Sequence, residues 1–558
     1  MNYLEKYEMW KNHPNLPESL RKELDNLTEK EIEDAFYTDV KFQTAGMRGL
    51  MGVGPNRLNI VTVRKATQGF ANYLNRNGKK SVAIGYDNRF NSYEFAIDSA
   101  ALLASNGIKA YVFDSLRPTP ELSFAVRYLK CDGGIMITAS HNPKEYNGYK
   151  LYDDTGCQLI PEMADAVIKE IDQLDDILSI APKADYDKNL VVYINDEVDK
   201  AYHEAVLSIR LNKDLKKDFR IAYSPEHGTS YIPVMTTLKA AGYDVVEVES
   251  QKNPDPAFSN TKTPNPEEAG AYEGVLALAK EIDAELLLVC DPDGDRMGVG
   301  VKHHGEYRIL NGNQTGALLL EYILRAKEEL GIKEHNPCMF NTIVTSDIGE
   351  AVARYHGVDC EKTLTGFKYI GDKVRTYEKN HEKTYVFGYE ESYGSLIAPF
   401  VRDKDATQAC LMLAEECAYY RQMGMTLVDA LEDIFAKVGA YYDTQFSVTL
   451  PGASGAQRLQ EIMSTIRNNP LVIPGYDILK IEDYKLQKSY EGDKVTDFRK
   501  HDISDVLKYY LSDGSFIAIR PSGTEPKCKV YLSTKADSYE KAIAKAEEFK
   551  KIVSEVVR

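Results

Sequence analysis

A chain of 558 residues is too long for one hydrophobic core and is expected to divide into three to five domains. With 43% hydrophobic residues and no apolar run near about eighteen residues, it reads as a soluble globular protein with no membrane span. The formal charge of −17 argues against nucleic acid as partner, and eight scattered Cys without a C-x-x-C pair argue against a disulfide scaffold or zinc site. The start, Met1 to Lys6, lacks the basic and apolar regions of a secretory signal, so a reducing cytoplasm is the expected home.

The first forty or so residues carry no motif. Ser81 to Gly85 and Ala110 to Phe113 read as apolar strands, separated by a helical pattern from about Ser92 to Ser105 that Gly107 is placed to end. Gly133 to Ile137 is a further apolar strand, and Asp175 to Leu190 is loop-like. A new unit opens at Phe219 to Tyr223, continues through Val245 to Val248, and reaches the buried strand Leu286 to Cys290. Helices follow around Gly316 to Leu330 and Ala406 to Tyr420, with Gly331 and Gly424 as stops and the strand Lys383 to Phe387 between them. Gly452 to Gly455 reads as loop, Phe516 to Ser533 as strand-rich, and Tyr539 to Val556 as an amphipathic helix. The alternation predicts an α/β protein. Three successive α/β units suggest duplication, yet no repeat is convincing by eye.

Four loops carry the chemistry. Thr138-Ala139-Ser140-His141-Asn142-Pro143 places a hydroxyl and an imidazole where a strand runs out into a turn. Asp291-Pro292-Asp293-Gly294-Asp295-Arg296 sets three carboxylates at alternate positions after a strand, which repel unless a cation sits between them. An EF-hand loop fails, because Arg296 and Lys302 stand where Gly and Glu are required. A haloacid-dehalogenase-like phosphatase is disfavoured by the third Asp, and a solvated acidic loop is the bland alternative. Gly388-Tyr389-Glu390-Glu391-Ser392-Tyr393-Gly394 follows a strand, as does Arg520-Pro521-Ser522-Gly523-Thr524-Glu525-Pro526, whose guanidinium, hydroxyls and Gly suit a phosphate. No P-loop and no G-x-S-x-G elbow is present.

These four loops, in this order, resemble the signature loops of the α-D-phosphohexomutase superfamily, the phosphoglucomutases and phosphomannomutases, from about Gln43 to Thr534. Thr44 to Gly49, Lys262 to Glu268, Thr365 to Lys368 and Asp403 to Asp405 are similar to the long bacterial phosphoglucomutases. The resemblance implies three related mixed α/β domains plus a smaller α+β C-terminal domain around a central cleft. Their expected extents are 1–205 for the phosphoserine loop, 206–312 for metal, 313–440 for sugar and 441–558 for phosphate.

It further implies that Ser140 carries a phosphoryl group, with Mg²⁺ held by Asp291, Asp293, Asp295 and a phosphoserine oxygen of Ser140. Arg48, Arg296 and His141 are then electrostatic partners, and Lys150 is the base, with His141 as the alternative. Glu390 and Ser392 would read hydroxyls at sugar carbons three and four, with Thr365 and Lys368 also at the substrate. Arg520, Ser522, Gly523 and Thr524 would hold the phosphate not being transferred, with Lys527 and Lys529 helping if their shared strand face points at it. For Asp403 and Asp405 a structural hydrogen-bond role is expected.

The implied activity is interconversion of α-D-glucose 1-phosphate and glucose 6-phosphate, primed by glucose 1,6-bisphosphate. Phosphomannomutase and phosphopentomutase are close alternatives, a sugar phosphatase or a non-catalytic phosphoserine protein distant ones. Anionic sugar phosphates on a chain of charge −17 require a local positive field, which Arg48, Lys150, Arg296, Lys368 and Arg520 can supply.

Overall fold

The computed structural model describes residues 2–42, 46–449, 453–498, 502–521 and 527–557. Its strands and helices gather into two bodies, one of Met1–Asn311 with Phe367–Gly424, the other of Gly312–Gly366 with Met425–Arg558.

In the first body, apolar segments without polar alternation become strands buried on both faces. Val82, Ala83 and Ile84 are fully buried, as are Leu286 through Cys290. Ser81–Tyr86 pairs in parallel with Lys109–Phe113 and Gly133–Ile137, and Lys109–Phe113 with Val191–Ile194. Tyr146–Asp153 then runs antiparallel to Gly133–Ile137 on one side and to Met47–Leu50 on the other, completing a six-stranded sheet. The second sheet repeats the plan. Arg220–Ser224 is parallel to Asp244–Glu247 and Leu286–Cys290, and Met297–His303 returns antiparallel beside Leu286–Cys290, followed by Glu306–Leu310. The duplication that no repeat in the sequence reveals is thus visible in topology. In both sheets, the chain leaves a parallel strand, makes a loop, and returns antiparallel.

Helices Ile60–Arg76 and Ser92–Ser105 cover the first sheet through Phe70, Leu74 and Leu103, each side chain contributing roughly 1.5–3 kcal/mol by burial. Gly107, at φ +71°, terminates the second of these as expected. Helix Ala406–Gln422 is buried on every side from Ala406 to Tyr420, packing on helix Tyr231–Ala240 and on strand Leu286–Cys290. The motif-free N-terminus forms three helices, Tyr3–Asn12, Glu18–Leu24 and Glu29–Phe36, around a small core of Trp10, Leu16, Leu20, Leu24 and Phe36. Asn2 with Glu5 and Thr28 with Glu31 form capping boxes that start two of them.

The second body holds the parallel pair Pro337–Thr342 and Asp359–Thr363, with helices Gly312–Glu329, Ile348–Tyr355 and Leu427–Val438. Its C-terminal part is a seven-stranded antiparallel sheet. Helices Ala453–Asn468 and Tyr539–Val556 pack on it through Leu459, Met463, Phe549 and Val553, the segregated α+β arrangement expected there. One local reading is corrected. Ala453 to Gly455 open a helix instead of continuing a loop, because Leu459, Met463 and Ile466 give that segment an apolar helical face; Gly452 lies outside the described residues. Among the described residues no helix is long and apolar enough to cross a membrane.

His356 bridges two acids in the second body, its Nε2 2.8 Å from Glu321 and its Nδ1 2.8 Å from Glu328. Burial works against the imidazolium, but the two carboxylates prevail and raise its pKa above the ordinary value. A raised folded-state pKa gives stability that is complete below about pH 6.5 and is lost as pH climbs through the folded value. Urea unfolding of wild type and His356→Gln at pH 5.5 and 8.5 should therefore show the larger midpoint gap at the lower pH. An equal gap at both would mean the imidazole is neutral throughout.

Candidate active site

Ser140 lies in the connection that joins Gly133–Ile137 to its antiparallel neighbour, and its backbone is left-handed at φ +52°. A non-Gly residue there is held by its surroundings. The Ser140 N–H donates to Thr138 Oγ1 at 2.8 Å, Asn142 N–H to Ala139 O at 3.1 Å, and Thr138 N–H to Gly148 O at 3.1 Å. Position 148 must be Gly, because a Cβ would stand 2.3 Å from Thr138 O. The Ser140 hydroxyl is buried, donates to Asp291 Oδ2 at 2.8 Å, and lies 3.2 Å from His141 Nδ1.

The carboxylate loop turns at Gly294, φ +66°. Asp291 Oδ1 accepts from the N–H groups of Asp295 (3.1 Å) and Arg296 (3.0 Å). Asp293 Oδ2 accepts from Lys150 Nζ and from Thr119 Oγ1, each at 3.0 Å, and Asp295 Oδ2 lies 3.2 Å from Lys404 Nζ. Asp293 Oδ1 and Asp295 Oδ1 are buried without a hydrogen-bond partner. Ligand oxygens of all three acids fall within 4.8 Å of one another. Burial and the two neighbouring carboxylates push Asp291 well above the usual carboxylate range, and burial and Asp293 raise Asp295. Burial opposes ionisation of Asp293 too, but Lys150 outweighs it and holds that carboxyl low. Three such acids ionise together only with added positive charge, and their hard oxygens, two of them unpartnered, can hold a metal ion.

Arg296 closes the loop. Its Nη1 donates to Glu267 Oε1 at 2.9 Å and to Ser392 O at 3.1 Å, and its Nε stands 3.7 Å from Asp295 Oδ1. Burial disfavours the guanidinium, but Glu267 and Asp295 keep it charged. Met297 N–H donates to Tyr393 O at 3.0 Å, so the strand after the acids is also bonded to the 388–394 loop. Within that loop Glu390 is buried and its N–H donates to Gly394 O at 2.8 Å. Gly394 is required because a Cβ would meet Lys404 Cδ at 2.0 Å. Arg48 is exposed and donates to Asn142 Oδ1 at 2.9 Å.

Asp405 caps helix Ala406–Gln422 through Thr407 and Gln408, and accepts from Tyr202 Oη at 2.9 Å. Asp403 accepts from Tyr152 Oη at 2.9 Å and pairs with Lys404 at 3.0 Å, so both acids have the structural bonding expected of them. Sequence reasoning gave no role to Lys404, Thr119 or Glu267, although Glu267 and Lys404 lie within the quoted segments Lys262 to Glu268 and Asp403 to Asp405.

Ser140, His141, Lys150, the three Asp, Arg48, Arg296, Glu390 and Ser392 thus belong to one body, as does Lys368, buried with its Nζ 5.3 Å from the Tyr369 ring. Thr365, its hydroxyl buried without a hydrogen-bond partner, and Arg520 belong to the other. Arg520 pairs across the strands with Lys529, which puts Arg520, Lys529 and Lys527 on one face. Ser522, Gly523 and Thr524 lie outside the described residues.

Comparison with known proteins finds the four successive domains of one family: phosphoglucomutase/phosphomannomutase alpha/beta/alpha domains I, II and III over residues 39–177, 200–305 and 311–438, and the C-terminal domain over 484–551. The chain belongs to the phosphoglucomutase/phosphomannomutase family. A phosphoglucomutase of Staphylococcus epidermidis is 40% identical over 94% of this chain and 96% of its own length. One from Staphylococcus aureus is 38% identical over 91% and 92%. The fold matches the solved phosphoglucomutase pp63/parafusin of Paramecium, with TM-score 0.68 at 18% identity over 93% of this chain and 95% of that one. A phosphoglucomutase/phosphomannomutase family protein of Burkholderia thailandensis gives 0.67 at 19% over 92% and 97%.

Thr119 supports the carboxylate loop without being a ligand candidate, donating to Asp293 from its hydroxyl and, at 2.8 Å, from its N–H to Asp293 O. Thr119→Val keeps its shape and removes the hydroxyl bond. It should weaken divalent-cation binding about tenfold, in the range for outer groups that orient metal ligands, as titrated with Mn²⁺. An unchanged affinity would mean that Asp293 needs no such orientation.

Proposed function

We propose that this chain is a phosphoglucomutase, interconverting α-D-glucose 1-phosphate and glucose 6-phosphate through phosphorylated Ser140 and a glucose 1,6-bisphosphate intermediate. The observation that carries the reading is the buried Ser140 hydroxyl, bonded at 2.8 Å to an acid of a buried triad with unpartnered oxygens. The staphylococcal relatives, both phosphoglucomutases, favour glucose over mannose or a pentose as the sugar. The domain divisions near 205, 312 and 440 belong to this reading, as does a cytoplasmic home, which eight free cysteines suit.

In this reading Asp291, Asp293 and Asp295 hold Mg²⁺, which supplies charge neutralisation to the phosphoryl oxygens. A sugar hydroxyl attacks phosphorus as the bond from phosphorus to Ser140 Oγ breaks, and its proton passes to Lys150 once that amine, charged in its pairing with Asp293, has given up its own proton, or to His141 as the alternative acceptor. Arg48 and Arg296 stabilise the charge that spreads over the transferring group. Glu390 and Ser392 fix the ring by its hydroxyls. Thr365, Lys368, Arg520, Ser522, Gly523 and Thr524 bind the substrate, the last four by its other phosphate. The bisphosphate turns over and returns its second phosphoryl to Ser140, so no phosphate is lost.

Ser140→Ala should abolish mutase turnover with the fold intact, and intact-mass analysis of wild type should find a phosphoryl adduct mapping to Ser140. Substantial turnover in the variant would refute the assignment. Arg520→Ala removes the guanidinium best shaped for the distal phosphate. It should raise KM for both substrate isomers about tenfold or more, the loss expected of one charged hydrogen-bond partner, and increase dependence on added bisphosphate. Equal KM values and primer dependence in steady-state assays run in both directions would place the distal phosphate elsewhere.

A further inference from the structure

Arg89 lies behind the Ser140 loop with its side chain fully buried. Its Nη2 donates to Ser140 O and Asn142 O, each at 2.5 Å, and its Nη1 to Pro143 O at 2.8 Å and Tyr146 O at 3.0 Å. One guanidinium thus gathers four carbonyls from seven consecutive residues, a turn in which Ser140 is buried and Pro143 to Glu145 are exposed. The charge is tolerated because Asp87 Oδ2 lies 3.3 Å from Nε and the Phe258 ring centroid 5.2 Å from Cζ. Asp87 is itself fixed by the Ser92 hydroxyl at 2.7 Å and the Arg89 N–H at 2.9 Å.

The supporting contacts continue to the carboxylate loop. Asn88, beside Arg89, donates to Asp255 O at 2.9 Å, and Phe258 follows three residues later with φ +51°. Asp255 N–H donates to His227 O at 3.3 Å, and the His227 imidazole, in its Nδ1–H tautomer, bonds Asn253 O at 3.0 Å and accepts from Asn260 N–H at 3.3 Å. The next two residues reach the acids. A Cβ on Gly228 would stand 2.4 Å from Pro292 Cα, and Thr229 donates to Pro292 O from its N–H at 2.8 Å and from its hydroxyl at 2.9 Å. Pro292 stands between Asp291 and Asp293.

We propose that Arg89 is a positioning residue for phosphoryl transfer, holding the carbonyls that set the left-handed Ser140 and bracing that loop, through Phe258 and the 253–260 segment, against the carboxylate loop it must meet. The proposal rests on Ser140 being the phosphoryl carrier. Arg89 bonds the backbone of Ser140 and not its hydroxyl, so it acts through the geometry of the turn. A lysine has three donors on one point and cannot reproduce a planar fork shared among four acceptors.

Arg89→Lys keeps the charge and should lower kcat about ten- to a hundredfold, the cost of an ångström-scale displacement at a reacting group. KM for glucose 1-phosphate should stay within about twofold, since the substrate-binding groups are untouched. The ³¹P resonance of the phosphoserine should shift, reporting the altered turn. A folded Arg89→Lys enzyme with wild-type kcat, or one in which KM rises in step with any loss, overturns the proposal. If Arg89→Lys lacks the native circular-dichroism spectrum, Phe258→Leu provides the test. It removes only the ring and should lower kcat about two- to fivefold at unchanged KM; a wild-type rate overturns the proposal. Mapping the wild-type phosphoryl adduct separates the two readings. An adduct at another residue removes the Ser140 assignment and this proposal with it, whereas an adduct at Ser140 with unaltered kcat in the tested variant removes this proposal alone.

Discussion

Repulsion among three buried carboxylates is the constraint on which the rest of this site depends. Asp291, Asp293 and Asp295 cannot share one loop as anions without cations close by, and the protein brings those from segments far apart in sequence. Lys150 comes from the strand after the Ser140 loop, Lys404 from the segment before a buried helix, and Arg296 from the acids' own loop, fixed by Glu267. Each is paired on more than one side or buried beside its partner, so the balance is built into the fold. What remains uncompensated is two oxygens without partners, Asp293 Oδ1 and Asp295 Oδ1, where a metal ion could complete the charge.

Both chemical loops occupy the same place in their sheets, where a central parallel strand gives way to an antiparallel return. The return strand then makes a second contact: Lys150 with Asp293 in the first sheet, and the Met297 N–H with the 388–394 loop in the second. A duplicated plan has placed a hydroxyl in one copy and an acid cluster in the other, and their contact at 2.8 Å joins the two copies chemically.

The strands that lead into these loops were legible because burial on both faces leaves an unbroken apolar run: Gly133–Ile137 and Leu286–Cys290 begin and end where the sequence says. The order of the four loops was enough to indicate the family. The duplication was suggested by the three successive α/β units but not by any repeat of residues, since it resides in strand order. Nor were the N-terminal helices, whose capping boxes are short and whose core is small. Thr119, Lys404, Glu267 and Arg89 escaped for a common reason. Each is an ordinary polar residue until folding sets it against a loop 29 to 174 positions away.

The N-terminal helices have one spectroscopic consequence. Trp10 is the only tryptophan of the chain, 1% exposed and edge-on to Phe36 with ring centroids 5.8 Å apart. Its cluster is formed by the N-terminal helices with Val53, Val61 and Leu178, none of which belongs to the four loops. Directly excited indole emission is therefore a local gauge of that small core, blind to ligand arrival at Ser140 or the acids. A red shift marks the loosening of the N-terminal helices, whatever the remainder of the chain is doing.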